Sequence, residues 1–395
     1  MHKPERHRTR TLLDAEILIS RKRPYTSKPK MSSHARNQDL QWAWRCHQSR
    51  KPDVLLKKQI PIPKCAPNGV LVKVLAMGVC HSDCLIIARP EPLPGCSEFT
   101  LGHEGAGEIV EIGSEVNNGL QPGDKVSIHI VPGCGECREC NLGFRRLCKQ
   151  SDNGGYGLEK DGFMQEIVAA RADACVKIPE GVRIEDAAIA PDAILTAFHA
   201  IKYTGEVNEK DKVAIIGLGG LGLNGVQIVK YFGVEVGSIY VMDKKLEAVE
   251  AAIRLGVKKE NAFCSGDEHY EKKPMHEVLA ERGVSIDKVI DFVGHDETHT
   301  TAQIIVRPAG TIVVVGLLSM QTPLLPGLMV TKCYTIKGTF AGEIEGLKEC
   351  LDLLAKGVIR PELSTASVNE LPQVLKDLDY GKIKGRKVLL PDWTN

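Results

Sequence analysis

The stretch AIIGLGGLGLNGVQIV, residues 214–229, limits the fold more than any other part of the chain. A short apolar run ends at Gly217, and Gly217, Gly219 and Gly222 then follow in a G-x-G-x-x-G spacing. A helical pattern runs on from Leu221 to Phe232. Strand, glycine turn and helix in immediate succession make one unit of a parallel sheet. Gly217 suits the tight turn, Gly219 lets the backbone approach a pyrophosphate, and Gly222 lets helix press on strand. With Gly220 and Leu221 they form a predicted cofactor loop, at a helix N-terminus whose free N–H groups and dipole favour phosphate. Asp243 ends the next apolar run, VGSIYVMD. A carboxylate there accepts bonds from adenine-ribose hydroxyls and repels a 2′-phosphate, which predicts NAD rather than NADP. Lys244 and Lys245 beside it weaken that preference, since either can pair with a phosphate.

The rhythm differs on the two sides of this loop. Between about 53 and 180, short apolar runs (GVLVKVLAMGV, GAGEIVEIG, DKVSIHIV, FMQEIVAA) are broken by Gly and Pro, predicting a mostly β domain. QPGDKV reads as a type II turn, with Pro122 presetting one φ and Gly123 supplying the positive one. From DKVAIIG onward, strands apolar on both faces alternate with helices, predicting a doubly wound parallel sheet. A helix in EGLKECLDLLAKG and a last strand in GRKVLLP close the chain.

At 395 residues two domains are expected. Apolar content of 43% and charged content of 26% fit a globular protein, and TIVVVGLL at 311–318 is too short to span a bilayer. Net charge is +1, yet residues 1–30 hold nine Lys/Arg against three Asp/Glu. The body of the chain is therefore slightly acidic and lacks a basic stripe for nucleic acid. The basic head reads as a disordered extension with Met31 as an alternative start; its arginines also suit a mitochondrial presequence.

Of 13 cysteines, Cys134, Cys137, Cys140 and Cys148 crowd into CGECRECNLGFRRLC. Four thiolates on one short loop wrap a tetrahedral zinc and fill every position, which defines a structural rather than a catalytic site. A disulfide pair is the competing reading, weakened by the lack of a secretory signal. The stretch GVCHSDC, residues 78–84, offers Cys80 as a further ligand, and LGHEGAG offers His103. Neither specifies a geometry alone.

GVCHSD, GHEGAG, the cysteine quartet and GLGGLG, in this order, resemble the zinc-dependent medium-chain alcohol dehydrogenases, and the likeness runs from about residue 40 to the C-terminus. The resemblance implies a GroES-like, mostly β catalytic domain over 40–190 and 339–395, and a Rossmann NAD-binding domain over 191–338, behind the extension 1–39. It implies two zinc ions per chain. The catalytic one would lie on Cys80, His103 and a third residue in AAIAPDAILTAFHA, where many relatives have Cys and this chain has Asp192. Cys84 and Cys175 rank below Asp192. Glu104 would stand behind the metal, and Asp83 would bond the far nitrogen of His103. Ser82 would contact the substrate oxygen, whereas Leu85 replaces a relay histidine. His81 and Arg386 would reach the pyrophosphate, although for Arg386 a solvated charge competes. Val293 and Leu317 would flank the nicotinamide, and Ile130 would wall the substrate pocket, leaving room for medium-length or secondary alcohols.

The reaction so implied is oxidation of primary or secondary aliphatic alcohols to aldehydes or ketones, or its reverse, by hydride transfer from a zinc-held alkoxide to NAD. Rivals are a polyol dehydrogenase or a zinc-free quinone reductase of the same fold, and a catalytically silent zinc- and nucleotide-binding protein. Partners are expected to be small alcohols and aldehydes, not nucleic acid or membrane. A dimeric or tetrameric cytoplasmic enzyme is expected, mitochondrial if the head is a presequence.

Overall fold

The computed structural model describes residues 40–47, 54–89, 98–148, 150, 154–266 and 273–393. The predicted extension 1–39, with its presequence alternative, lies outside the described residues. Six strands, Val213–Ile216, Ile239–Asp243, Ala262–Cys264, Ile286–Asp291, Val306–Val314 and Thr335–Gly338, form a parallel sheet. Their spatial order is third, second, first, fourth, fifth, sixth, so the order reverses beside Val213–Ile216. Such a switch point opens a crevice at the carboxyl ends of the strands, where α/β sheets bind ligands. Val213, Ala214, Ile215 and Ile216 are all buried, as a strand covered on both faces requires.

Seven further strands make a second sheet centred on Gly69–Val79. Its neighbours are Glu104–Ile112, Ile167–Arg171 and Arg386–Leu390, all antiparallel to it. Lys387 pairs with Val79 and Gly78 with Glu104, so the end of the chain lies beside both motif segments. The turn at 121–124 has Gly123 at φ 92°, with Asp124 N–H donating to the Gln121 carbonyl at 3.1 Å, as expected. A small sheet of Leu55–Pro61, Leu40–His47 and Glu98–Thr100 packs into the same core as the second sheet.

The helical stretch from Ile184 to Thr204 lies between the two large sheets. Ala187, Ala188, Ile189, Ala193, Ile194 and Phe198 are fully buried, in one core with Ala76, Ala106 and Val226. Pro191 lacks the N–H for an ordinary helical bond, and the chain responds with a wide turn over Ala190–Ile194. There Leu195 N–H reaches the Ala190 carbonyl five residues back. Such π turns recur at functional sites, and this one carries Asp192.

The sequence reading did not find the helix Leu371–Asp379, although Leu371, Val374, Leu375 and Leu378 form a buried stripe at helical spacing. No described helix is long and apolar enough to cross a membrane.

Candidate active site

Cys80 precedes the eight-residue helix His81–Ala88, whose start is set by Asp83. Asp83 Oδ2 accepts the Cys80 N–H at 2.9 Å, which fixes the backbone of the cysteine. The other oxygen, Oδ1, lies 3.2 Å from His103 Nδ1. One fully buried carboxylate thus orients two residues from different segments. His103 Nε2 points away from Asp83 to within 3.5 Å of Asp192 Oδ2. Donor atoms of Cys80, His103 and Asp192 all lie within 4.8 Å of one another. A thiolate, an imidazole and a carboxylate at this spacing suit zinc and leave a fourth position open. Cys84 and Cys175, the rival thiols, turn instead to the carbonyls of Leu375 and Arg171.

Asp192 is held on two sides. Thr196, one helical turn on, donates its hydroxyl to Oδ1 at 2.9 Å, and Arg386 Nη2 donates to Oδ2 at 2.6 Å. Burial opposes its ionisation, yet His103 and Arg386 hold the carboxyl well below the usual range. Burial likewise opposes a charged His103, but Asp83 and Asp192 hold its imidazole well above the usual range. Cys80, His103 and Asp192 would hold a metal with the His103 ring neutral, since ligation uses its Nε2 lone pair.

Arg386 is 5% exposed, which overturns the solvated-charge alternative. Its Nε donates to Glu104 Oε2 at 3.0 Å, and its Nη2 donates to Glu104 Oε1 as well as to Asp192. Glu104 Oε1 also accepts the Ala193 N–H at 3.1 Å. Gly78 opposite leaves room for this carboxyl, since a Cβ there would come to 1.8 Å of Oε2. Burial pushes the Glu104 carboxyl up to about 7, with Arg386 pulling the other way. Ser82 Oγ stands 3.7 Å from Cys80 Sγ, and the Leu85 side chain offers no polar group.

The glycine loop adjoins this pocket. Gly217 adopts φ 88°, and a Cβ on Gly222 would meet the Gly217 carbonyl oxygen at 1.8 Å. Around Gly219 a Cβ would meet nothing within 4 Å, so the loop surface is open to a bulky group. The Arg386 side chain borders Gly220. His81 Nε2 lies 3.1 Å from the Leu378 carbonyl. Crowding first, then the charges of Arg386, Lys245 and Lys244, bring its pKa down to about 4. These cations and the helix N-terminus make a cradle for an anion. Asp243 Oδ2 accepts the Leu218 N–H at 2.7 Å and Oδ1 the Lys245 N–H at 2.9 Å, bracing the loop from below. Val293 packs against Gly217, and the Val293–Gly294 backbone lies close against Gly316, the residue before Leu317. Gly222→Ala is expected to destabilise the fold by about 1–3 kcal/mol, because a backbone carbonyl rather than a side chain must give way. Dinucleotide affinity, followed by fluorescence titration, should fall about tenfold or more with it.

The four lobe cysteines also converge. Cys134 and Cys140 sulfurs are 3.8 Å apart and those of Cys137 and Cys148 3.9 Å. Four sulfurs about 2.3 Å from one zinc would stand about 3.8 Å apart, whereas a disulfide needs about 2.05 Å. All described cysteines are free thiols. Backbone N–H groups of Glu136 and Cys137 bond Cys134 Sγ and draw its thiol down to about 6, favouring the ligating thiolate.

Ile130 faces the cysteine cluster. It is 3% exposed and packs with Val131, Cys140 and Cys148 inside the lobe. Its size therefore sets the packing of the lobe. The neighbouring Val131 lines a cavity of about 410 Å³ with Leu158, Arg146 and Phe340. Sequence reasoning also missed Thr196 and Gly78. Only the four-residue spacing of Thr196 from Asp192 carried a signal.

Two family models match the chain, an alcohol dehydrogenase GroES-like domain over residues 66–180 and a zinc-binding dehydrogenase domain over 220–356. An alcohol dehydrogenase of Geobacillus stearothermophilus is 31% identical over 84% of this chain and 94% of its own. Alcohol dehydrogenase 1 of Emericella nidulans is 32% identical over 89% and 97%. Among solved structures, acetophenone reductase from Geotrichum candidum in complex with NAD superposes with a TM-score of 0.79 at 30% identity, covering 89% of this chain and 98% of that one. The mostly β sheet with its cysteine lobe, the Rossmann sheet and these relatives establish that the chain belongs to the zinc-type medium-chain alcohol dehydrogenases, oxidoreductases acting on CH–OH groups with zinc and NAD as cofactors.

Proposed function

We propose that the protein interconverts primary or secondary aliphatic alcohols and their aldehydes or ketones, with Cys80, His103 and Asp192 holding the catalytic zinc. The observation that supports this most is the convergence of those three donors, with Asp83 behind the histidine and Arg386 linking the pocket to the glycine loop. When bound, zinc supplies Lewis acidity toward the substrate oxygen and NAD supplies the hydride acceptor. The Cys80 thiolate and Asp192 carboxylate together offset two positive charges. Asp83 Oδ1 accepts the Nδ1–H of His103, which leaves the Nε2 lone pair for ligation. Glu104 is kept behind the pocket by Arg386 and the Ala193 N–H.

Ser82 Oγ takes the proton of the substrate hydroxyl. Leu85 offers no polar group, so Ser82 Oγ gives up its own proton to water as it takes that of the substrate. Ser82→Ala is expected to cut turnover by about a hundredfold or more, within the range of general acid–base effects, with zinc content unchanged. Equal turnover in stopped-flow assays would refute the role. His81, Arg386 and the loop Gly217, Gly219, Gly220, Leu221 and Gly222 bind the pyrophosphate. Asp243 receives the adenine ribose through lone pairs that remain on its oxygens, and Val293 and Leu317 flank the nicotinamide. Cys134, Cys137, Cys140 and Cys148 hold the structural zinc.

We assign the catalytic domain to 40–190 and 339–395 and the Rossmann domain to 191–338. The enzyme is proposed to work in the cytoplasm as a dimer or tetramer. A panel of alcohols and aldehydes with NAD and NADP, run beside zinc counting, tests the whole reading. Two zinc ions per chain and turnover with NAD are expected. One ion and no turnover would favour a silent binding protein.

A further inference from the structure

Arg386 stands between two sites that the reaction needs at once. Its guanidinium bridges Glu104 and Asp192, carboxylates on segments 282 and 194 positions away in the chain. The oxygen of Asp192 that it occupies, Oδ2 at 2.6 Å, is the same oxygen that faces His103 Nε2 at 3.5 Å. The other oxygen accepts the Thr196 hydroxyl, so Oδ2, the oxygen facing His103 Nε2, is the one a metal at the Cys80–His103–Asp192 point would share with the guanidinium. On its opposite side the same side chain borders the glycine loop. Arg386 Cδ lies 3.0 Å and Nη1 3.5 Å from where a Cβ on Gly220 would project. Nε and Nη2 are thus given to carboxylates, while Nη1 is turned toward the first residue of the loop helix.

One guanidinium placed this way responds to both ligands in the same sense. A divalent cation at Oδ2 repels it and competes for the oxygen. An anion at the loop attracts it and draws its charge away from the carboxylates. Each ligand therefore removes an obstacle to the other. We propose that Arg386 couples the two sites, so that a pyrophosphate bound at the glycine loop raises zinc affinity at Cys80–His103–Asp192, and zinc there raises affinity for the pyrophosphate. Linkage requires the two factors to be equal. Arg386 acts on the metal through Asp192 and is in that respect a positioning residue. The proposal rests on the assignment of Arg386 to the pyrophosphate made above.

ADP-ribose is the suitable probe, because it carries the pyrophosphate without the charged nicotinamide. Zinc affinity is measured by equilibrium competition with a chromophoric chelator, with and without saturating ADP-ribose. The ion belonging to this site is the one absent from Asp192→Ala. ADP-ribose affinity is measured by calorimetry on protein with and without that ion. In the native protein ADP-ribose is expected to tighten zinc about tenfold, and zinc to tighten ADP-ribose by the same factor, as typical couplings do. In Arg386→Gln both ligands should still bind while the coupling factor falls to about one.

A native factor of one overturns the proposal without recourse to any variant, which matters if Arg386→Gln folds poorly. Coupling that survives in Arg386→Gln overturns it too, by showing that proximity alone links the sites. A third outcome separates the two layers. If zinc-loaded Arg386→Gln binds ADP-ribose as tightly as the native protein, the pyrophosphate assignment fails, and the coupling mechanism fails with it.

Discussion

His103→Ala is expected to lower kcat/KM by about a thousandfold or more, since Lewis-acid stabilisation worth several kcal/mol is lost at about 1.4 kcal/mol per tenfold. Zinc should fall from two ions per chain to one, because Cys80 and Asp192 alone leave an incomplete set of ligands. Dinucleotide binding should persist, weakened only by about the tenfold that the Arg386 coupling assigns to the lost ion, since the hydrogen bonds of His103 go to Asp83 and Asp192 rather than to the glycine loop. A cost of about 1–3 kcal/mol in stability should accompany the change, since the fully buried Asp83 keeps only the Cys80 N–H as a partner among the described residues. Metal analysis and steady-state kinetics on the same preparation check the prediction. Native zinc content with native turnover would remove His103 from the metal.

Asp83→Asn separates orientation from ligation. It keeps the side-chain shape but loses the charge behind His103, and outer-shell changes of this kind cost about 10–100-fold in metal affinity or activity. The ordering expected, His103→Ala far worse than Asp83→Asn, follows from which residue gives its lone pair to the ion.

Cys148→Ser carries the second large effect, on stability rather than chemistry. The lobe from 134 to 148 contains only a four-residue helix, Arg138–Asn141, and one 3₁₀ turn, Arg145–Leu147. Leu142, Phe144 and Leu147 are exposed, so apolar burial contributes little there. The lobe is therefore expected to depend on the ion proposed for its four cysteines. Structural zinc supplies folding energy of many kcal/mol in small closed sites, and losing one ligand should lower Tm by about 10 °C, at roughly 2–4 °C per kcal/mol. Calorimetry on native, Cys148→Ser and chelator-treated protein measures this, with the variant and the treated protein expected to coincide. A variant melting with the native protein would show that the lobe stands without zinc.

Much of the molecule is readable from the order of residues alone. The strand Val213–Ile216 is a continuous apolar run, Gly69–Val79 is one broken only by Lys73, and the helix Ile344–Ala355 follows a clear stripe. Periodicity records burial directly, so such elements are written locally. The cysteine quartet and the glycine loop are local for the same reason, each needing only one short segment to build its geometry. In the small sheet the middle strand Leu40–His47 and the edge strand Leu55–Pro61 lacked that signal, because their faces are only partly covered.

The catalytic pocket was legible only through resemblance. Cys80, His103 and Asp192 come from three separate segments, and no spacing rule joins them. The role of Arg386 was less legible still. In the sequence it begins a final strand and reads as well for a solvated charge as for a phosphate contact. The pairing of Lys387 with Val79 puts it beside Cys80, and burial then turns its guanidinium to Glu104 and Asp192.

By itself the sequence determined the two sheets, the glycine loop and the four-thiolate lobe, since backbone periodicity and short-range spacing are properties of contiguous residues. Only the tertiary structure decided that Asp192 faces His103 rather than solvent, that Ile130 packs against Cys140 and Cys148, and that a single buried guanidinium lies between the Cys80–His103–Asp192 cluster and the glycine loop. Those outcomes depend on sheet order and on the wide turn at Pro191, and buried charges must then pair with whatever the fold brings within reach.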